Sequence, residues 1–115
     1  MIQDAKEGNL YLVKKKIRNG DNVNAVEKFN WTALHFAAMN GHVDVAKVLI
    51  QNGADVNAVE ERNMTALDLA AEIGHVDVVK VLIQNGADVN AYALRSAASR
   101  GHVDVAKVLI QNGAD

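Results

Sequence analysis

Apolar and polar positions along residues 43–51 follow a helical rhythm rather than the alternation of a strand. Val45, Ala46, Val48 and Leu49 recur at the spacing that lines one helix face, while Lys47 and Gln51 fall on the other side. Asp44 lies in the first turn, where a carboxylate suits the positive end of the helix dipole. A second apolar segment, residues 33–40, follows Thr32, whose hydroxyl can cap a helix start. Gly41 then ends that helix in a left-handed conformation. His42 and Val43 make the tight turn between the two helices. Gly53 closes the second helix, and residues 54–58 are expected to lead out in an extended path. Residues 59–64, with Asn63 able to take positive φ, form a hairpin-like finger to the next helix.

This helix, turn, helix, loop order recurs. Residues 41–58 read GHVDVAKVLIQNGADVNA, and residues 74–91 differ from them only at Val79 in place of Ala46. Residues 101–115 repeat the phrase again as far as it runs. Gly8, Gly41 and Gly74 are spaced by 33 residues, whereas Gly101 follows Gly74 by 27. The shortfall is the six-residue finger, residues 59–64, which has no counterpart between Ala91 and Tyr92. Four units result: a diverged first at 1–25, full ones at 26–58 and 59–91, and a shortened one at 92–115. A fixed period of this length marks a stack of units, each burying its apolar face on the next. The expectation is an extended surface rather than a catalytic pocket.

Composition supports a folded stack. Half of the residues (50%) are hydrophobic, 23% are charged and the net charge is −2, which is too apolar and too balanced for disorder. No apolar run approaches the ~20 residues of a membrane-spanning helix, and the first 20 residues have no secretory core. Cysteine is absent, so disulfides are excluded.

The motifs T-A-L-H at 32–35, A-A-x-x-G-H at 37–42, V-D-V-A-K-V-L-I at 43–50 and N-G-A-D-V-N-A at 52–58 closely resemble the ankyrin repeat. The resemblance covers essentially the whole chain. It implies an all-α solenoid of stacked antiparallel helix pairs with finger loops on one side. It also implies a non-enzymatic module that binds a partner protein through the fingers and the inner face of the first helices, without a cofactor and inside the cell, in the cytoplasm. The chain departs from the family pattern in four ways. Ala33 and Ala66 stand where proline is usual. Asn30 and Asn63 stand where the finger glycine is usual. Tyr92 replaces a capping threonine, which leaves Asn90 as the candidate cap. The fourth finger is missing.

Candidate chemistry is sparse. His42, His75 and His102 occupy equivalent turns in layers about 10 Å apart, too far to share a metal that needs ligands at ~2 Å; structural roles are expected. His35, Asp68 and Arg95 share one repeat position, and the expectation is a ladder in which Asp68 pairs with Arg95. Ser96 and Ser99 have no histidine suited to activate them, so no catalytic group is expected. The run Lys14, Lys15, Lys16 and Arg18 could suggest a nucleic-acid or membrane patch. The pI near 6.0 favours instead a solvated end of the stack, with neither of those partners.

The positions that stand out are Val26, Lys28, Phe29, Trp31, Met39 and Asn40, with Val59, Glu61, Arg62, Met64, Glu72 and Ile73 one repeat on. By the resemblance these are contact positions. They carry the sole Trp, one of two Phe and two of three Met, residue types enriched at interface cores. Phe29, Trp31, Met39, Met64 and Ile73 are expected to form one exposed surface. The alternative for the aromatics is a local satellite core. Near-identity of the repeats also fits an engineered scaffold with no natural ligand. The last helix copies the internal ones, so Val105, Val108 and Leu109 are expected to be open on one side and to support a homodimer or a longer array.

Overall fold

The computed structural model describes residues 1–114, and its regular structure is helical. The helices are α1 (Ile2–Glu7), α2 (Leu10–Arg18), α3 (Ala33–Met39), α4 (Val43–Gln51), α5 (Ala66–Ile73), α6 (Val76–Gln84), α7 (Ala91–Ser99) and α8 (Val103–Gln111). A single 3-10 turn at Lys28–Asn30 and an isolated antiparallel bridge between Val26 and Thr32 mark the first finger. Each pair is antiparallel. The odd-numbered helices stack in one row and the even-numbered helices in a second, giving a body of 41 × 24 × 21 Å.

The capping residues set the helix boundaries. Thr32 accepts the His35 N–H, and Thr65 accepts the Asp68 N–H. The side chains of His35 and Asp68 reach back to the N–H groups of Thr32 and Thr65, completing two capping boxes. At α7, where the threonine is missing, Asn90 caps by accepting the Ala93 N–H at 2.9 Å. The path expected to be extended at 54–58 instead bends: Asp55 Oδ1 accepts the Asn57 N–H at 3.0 Å and forms a side-chain-stabilised turn.

A recurrent lock joins the layers. His42, His75 and His102 each donate Nε2–H to a carbonyl near the end of the odd helix one layer back, α1, α3 and α5 in turn: Lys6 at 3.1 Å, Met39 at 3.0 Å and Glu72 at 3.1 Å. Each ring lies over the glycine that ends that helix. A Cβ on Gly8, Gly41 or Gly74 would sit 2.6, 2.7 or 2.7 Å from the ring, so only glycine fits. Asparagines add a second tie on the loop side. Asn24 donates to the Gly53 carbonyl and accepts the Asp55 N–H, and Asn57 repeats this with Gly86 and Asp88.

Between the rows lies a thin core of Leu34, Leu49, Leu67, Leu82 and Leu109, with Val13, Val45, Val78, Val79 and Val105. Alanines such as Ala37 and Ala70 let the odd helices approach. Of the three residues expected to be open, Val105 and Leu109 are buried, because their side chains face into this core, and Val108 is half-buried. The large apolar residues of α8 most open to solvent are Val103 and Ile110, each 59% exposed. At the other end, Lys16 Nζ donates to the buried Asp4 at 2.6 Å. That hydrogen bond, against the opposing effect of burial, holds the Asp4 carboxyl below its ordinary range. Lys14, Lys15 and Arg18 are exposed, so the basic run is not one uniform face.

Candidate partner-binding surface

Two fingers project beside the odd helices. In the first, the Glu27 N–H donates to the Trp31 carbonyl at 3.0 Å and the Asn30 N–H to the Glu27 carbonyl at 3.1 Å. In the second, the corresponding bonds run from Glu60 to Met64 at 3.1 Å and from Asn63 to Glu60 at 2.9 Å. Asn63 has φ 65°, the positive value expected from the sequence.

Glu60 organises the second finger, and no sequence signal pointed to it. It is buried; Oε1 accepts the Arg62 N–H at 2.6 Å and the Met64 N–H at 3.1 Å, and Oε2 accepts Arg62 Nε–H at 3.0 Å. Burial alone would raise the Glu60 carboxyl, but the guanidinium and two backbone donors outweigh it and hold the group below its usual range. Met64 is turned inward by this arrangement and is 8% exposed. Met64 therefore belongs to the core of the finger and not to the exposed surface expected of it.

Trp31 stands between the two expectations. It is half-buried, with its ring centroid 4.8 Å from Phe36 and 5.6 Å from His35. Arg62 lies 6.0 Å above the Trp31 ring and Lys6 4.3 Å from the Phe36 ring. Phe36, five residues after Trp31, completes an aromatic pair that the list of variable positions omitted. His35 is buried beneath it. Its Nδ1 accepts the Thr32 N–H at 3.1 Å, and Nε2–H donates to the Ala58 and Met64 carbonyls, 3.1 Å each. Burial, more than these carbonyls can offset, lowers its pKa and keeps the ring neutral.

The remaining positions divide by exposure. Val26, Lys28, Phe29, Asn40, Glu61, Arg62 and Ile73 are exposed, with Phe29 at 62% and Ile73 at 47%. Met39 is half-buried, and so is Glu72, which accepts Tyr92 Oη–H at 3.3 Å and Arg100 at 3.1 Å. Asn40 donates to the Lys6 carbonyl at 3.0 Å. Val59 is exposed as well, and Tyr92 on α7 is a further exposed side chain. The expected ladder does not form. Asp68 is buried and directed to Thr65 and Asn90, and its contacts do not include the exposed Arg95.

The three turn histidines each serve a separate interlayer bond. Among the described residues no cluster of His, Cys, Asp and Glu is placed to hold a metal, and no helix is long and apolar enough to cross a membrane. What the arrangement presents is a pair of fingers beside a row of first helices on a helical-repeat solenoid. A family model for ankyrin repeats in three copies matches residues 1–93, and a single ankyrin repeat model matches residues 91–115. The chain belongs to the ankyrin repeat family, whose repeats are generally protein–protein interaction modules. A search of curated proteins finds no match.

Proposed function

We propose that this chain is a non-catalytic binding module that holds a partner protein against its finger loops and odd-numbered helices. The observation that carries this reading is the contrast between the two sides of the two internal repeats, whose even helices α4 and α6 expose no large apolar side chain among the described residues. The even helices repeat the same polar outer residues, such as Asp44, Lys47 and Gln51 and their copies Asp77, Lys80 and Gln84. The finger side instead varies from repeat to repeat and carries large exposed apolar groups, Phe29 and Ile73 among them. Varied apolar side chains in solvent cost solubility and mark a contact surface.

The test is affinity capture from a cell lysate, followed by titration of the purified captured protein. Ile73→Lys is expected to weaken binding by about 30-fold or more, whereas Lys47→Glu on the outer side leaves it unchanged. The reverse pattern would put the contact on the even helices and end this reading. Self-association is a second reading, favoured by the exposed Val103 and Ile110 of α8. A mass that stays monomeric by light scattering up to high concentration, unaltered by Ile110→Lys, excludes it.

A further inference from the structure

Phe29 has φ 64° and ψ 22°, and Asn30 beside it has φ 63°. Left-handed backbone crowds Cβ against the carbonyl, a penalty that glycine escapes and asparagine tolerates. A phenylalanine there is an outlier. Closing the finger does not require it. The second finger closes with the same two backbone bonds and only Asn63 at positive φ.

The difference lies in the brace. Glu60 fixes the second finger from within, but its counterpart Glu27 is exposed and turned 4.0 Å from Lys6. The left-handed bend of the first finger is held from outside: the Glu61 N–H donates to the Phe29 carbonyl at 2.8 Å. The outcome is a phenylalanine 62% exposed, on the same finger as Val26 at 55% exposure. Lys28, next in sequence, has no ion pair among the described residues. A strained residue whose side chain packs into no core is better explained by use than by folding.

We propose that Phe29 is the anchor of the partner-binding surface, held out by the second finger to enter an apolar pocket on a partner protein whose rim offers an acidic group to Lys28 and a basic group to Glu61, which is likewise exposed and without an ion pair among the described residues. This rests on the reading that the finger side binds protein. Aromatic anchors that fill pockets dominate interface energetics, and a ring fixed before binding loses less freedom on docking.

The probe is a displayed library of single antibody-type domains with randomised loops, panned on the wild-type chain. Each clone is then measured on Phe29→Gly, Phe29→Ala, Lys28→Glu and Ile73→Lys. Most clones are expected to lose at least about 30-fold on Phe29→Gly and Phe29→Ala and to weaken on Lys28→Glu. Phe29→Gly is expected to melt about 3 °C higher than wild type, because glycine relieves the bend; Phe29→Ala, which keeps a Cβ, gains nothing. Two results overturn the anchor alone: a lowered melting point for Phe29→Gly, or clones that respond to Ile73→Lys yet bind Phe29→Gly within about threefold of wild type. Clones indifferent to both the Phe29 and the Ile73 changes overturn the anchor and the surface together.

Discussion

Asn90 donates a side-chain hydrogen bond to Asp68 across 3.0 Å, at the place where the fourth repeat lacks its finger. The same repeat position holds His35 one layer earlier. There the ring donates to two carbonyls, Ala58 and Met64, at either end of the following finger. Without a finger those acceptors are gone, and the shortened chain supplies the amide of Asn90, a donor. An acceptor is then needed in place of the imidazole, and Asp68 is one. The swap of His for Asp and the deletion are thus chemically matched.

Asn90→Ala removes both the cap of α7 and the partner of Asp68, and is expected to cost about 1–2 kcal/mol in urea unfolding. Asp68→His alone is expected to destabilise. Combined with insertion of residues 59–64 between Ala91 and Tyr92, it should cost less than the separate effects sum to. Additivity of the two changes would mean the pair is unrelated to the missing loop.

His35 gives the stack a pH dependence with a definite sign. Its folded pKa lies below the ordinary 6.5, chiefly through burial. The stability it contributes is therefore complete above that value and lost as pH falls below it. Protonation would also place a proton on Nδ1 against the Thr32 N–H it now accepts. Unfolding free energy is expected to fall between pH 7 and pH 5, with a shallower slope in His35→Gln. Asp4 and Glu60, both held below their ordinary values, add a second loss only as pH drops under about 4. An unchanged slope in His35→Gln would reject the assignment.

Gly41 and Gly53 both have positive φ, 75° and 95°, but only the first faces a ring. Gly53→Ala has open space for its methyl and is expected to cost about 1 kcal/mol for the backbone alone. Gly41→Ala must also displace His75 and break its bond to the Met39 carbonyl, for a total of about 3 kcal/mol. Similar melting points for the two variants would refute the lock.

Leu49 and Ile73 separate folding from recognition. Leu49 is fully buried, so Leu49→Ala is expected to lose about 2–5 kcal/mol. Ile73→Lys changes an exposed position and is expected to stay within about 0.5 kcal/mol of wild type. A large stability loss at Ile73 would move it into the core and out of the candidate surface.

Most of the helical frame was legible because its signals are local and recur in phase. Thr32, Thr65, Gly41 and Asn63 each do what their chemistry predicts within a few residues of themselves. Asn90 could be identified as a cap because Tyr92 could not serve. The misreadings concern direction. Asp68 was aligned with Arg95 by repeat position, but at the third position of a capped helix the side chain folds back to its own N-terminus. Met64 was placed at the surface with its counterpart Trp31, yet Glu60 gathers the backbone around it and turns it inward. Phe29 was legible as an exposed aromatic, whereas its backbone strain depends on a hydrogen bond from Glu61, thirty-two residues on.

The histidine locks all run one way. Each ring reaches back to a carbonyl and a glycine that precede it in the chain. The solenoid therefore has a grain. Each later helix pair closes its histidine bond on a carbonyl of the pair before it. Trimming from the front strips the acceptors from the next layer, while trimming from the back leaves every remaining lock closed.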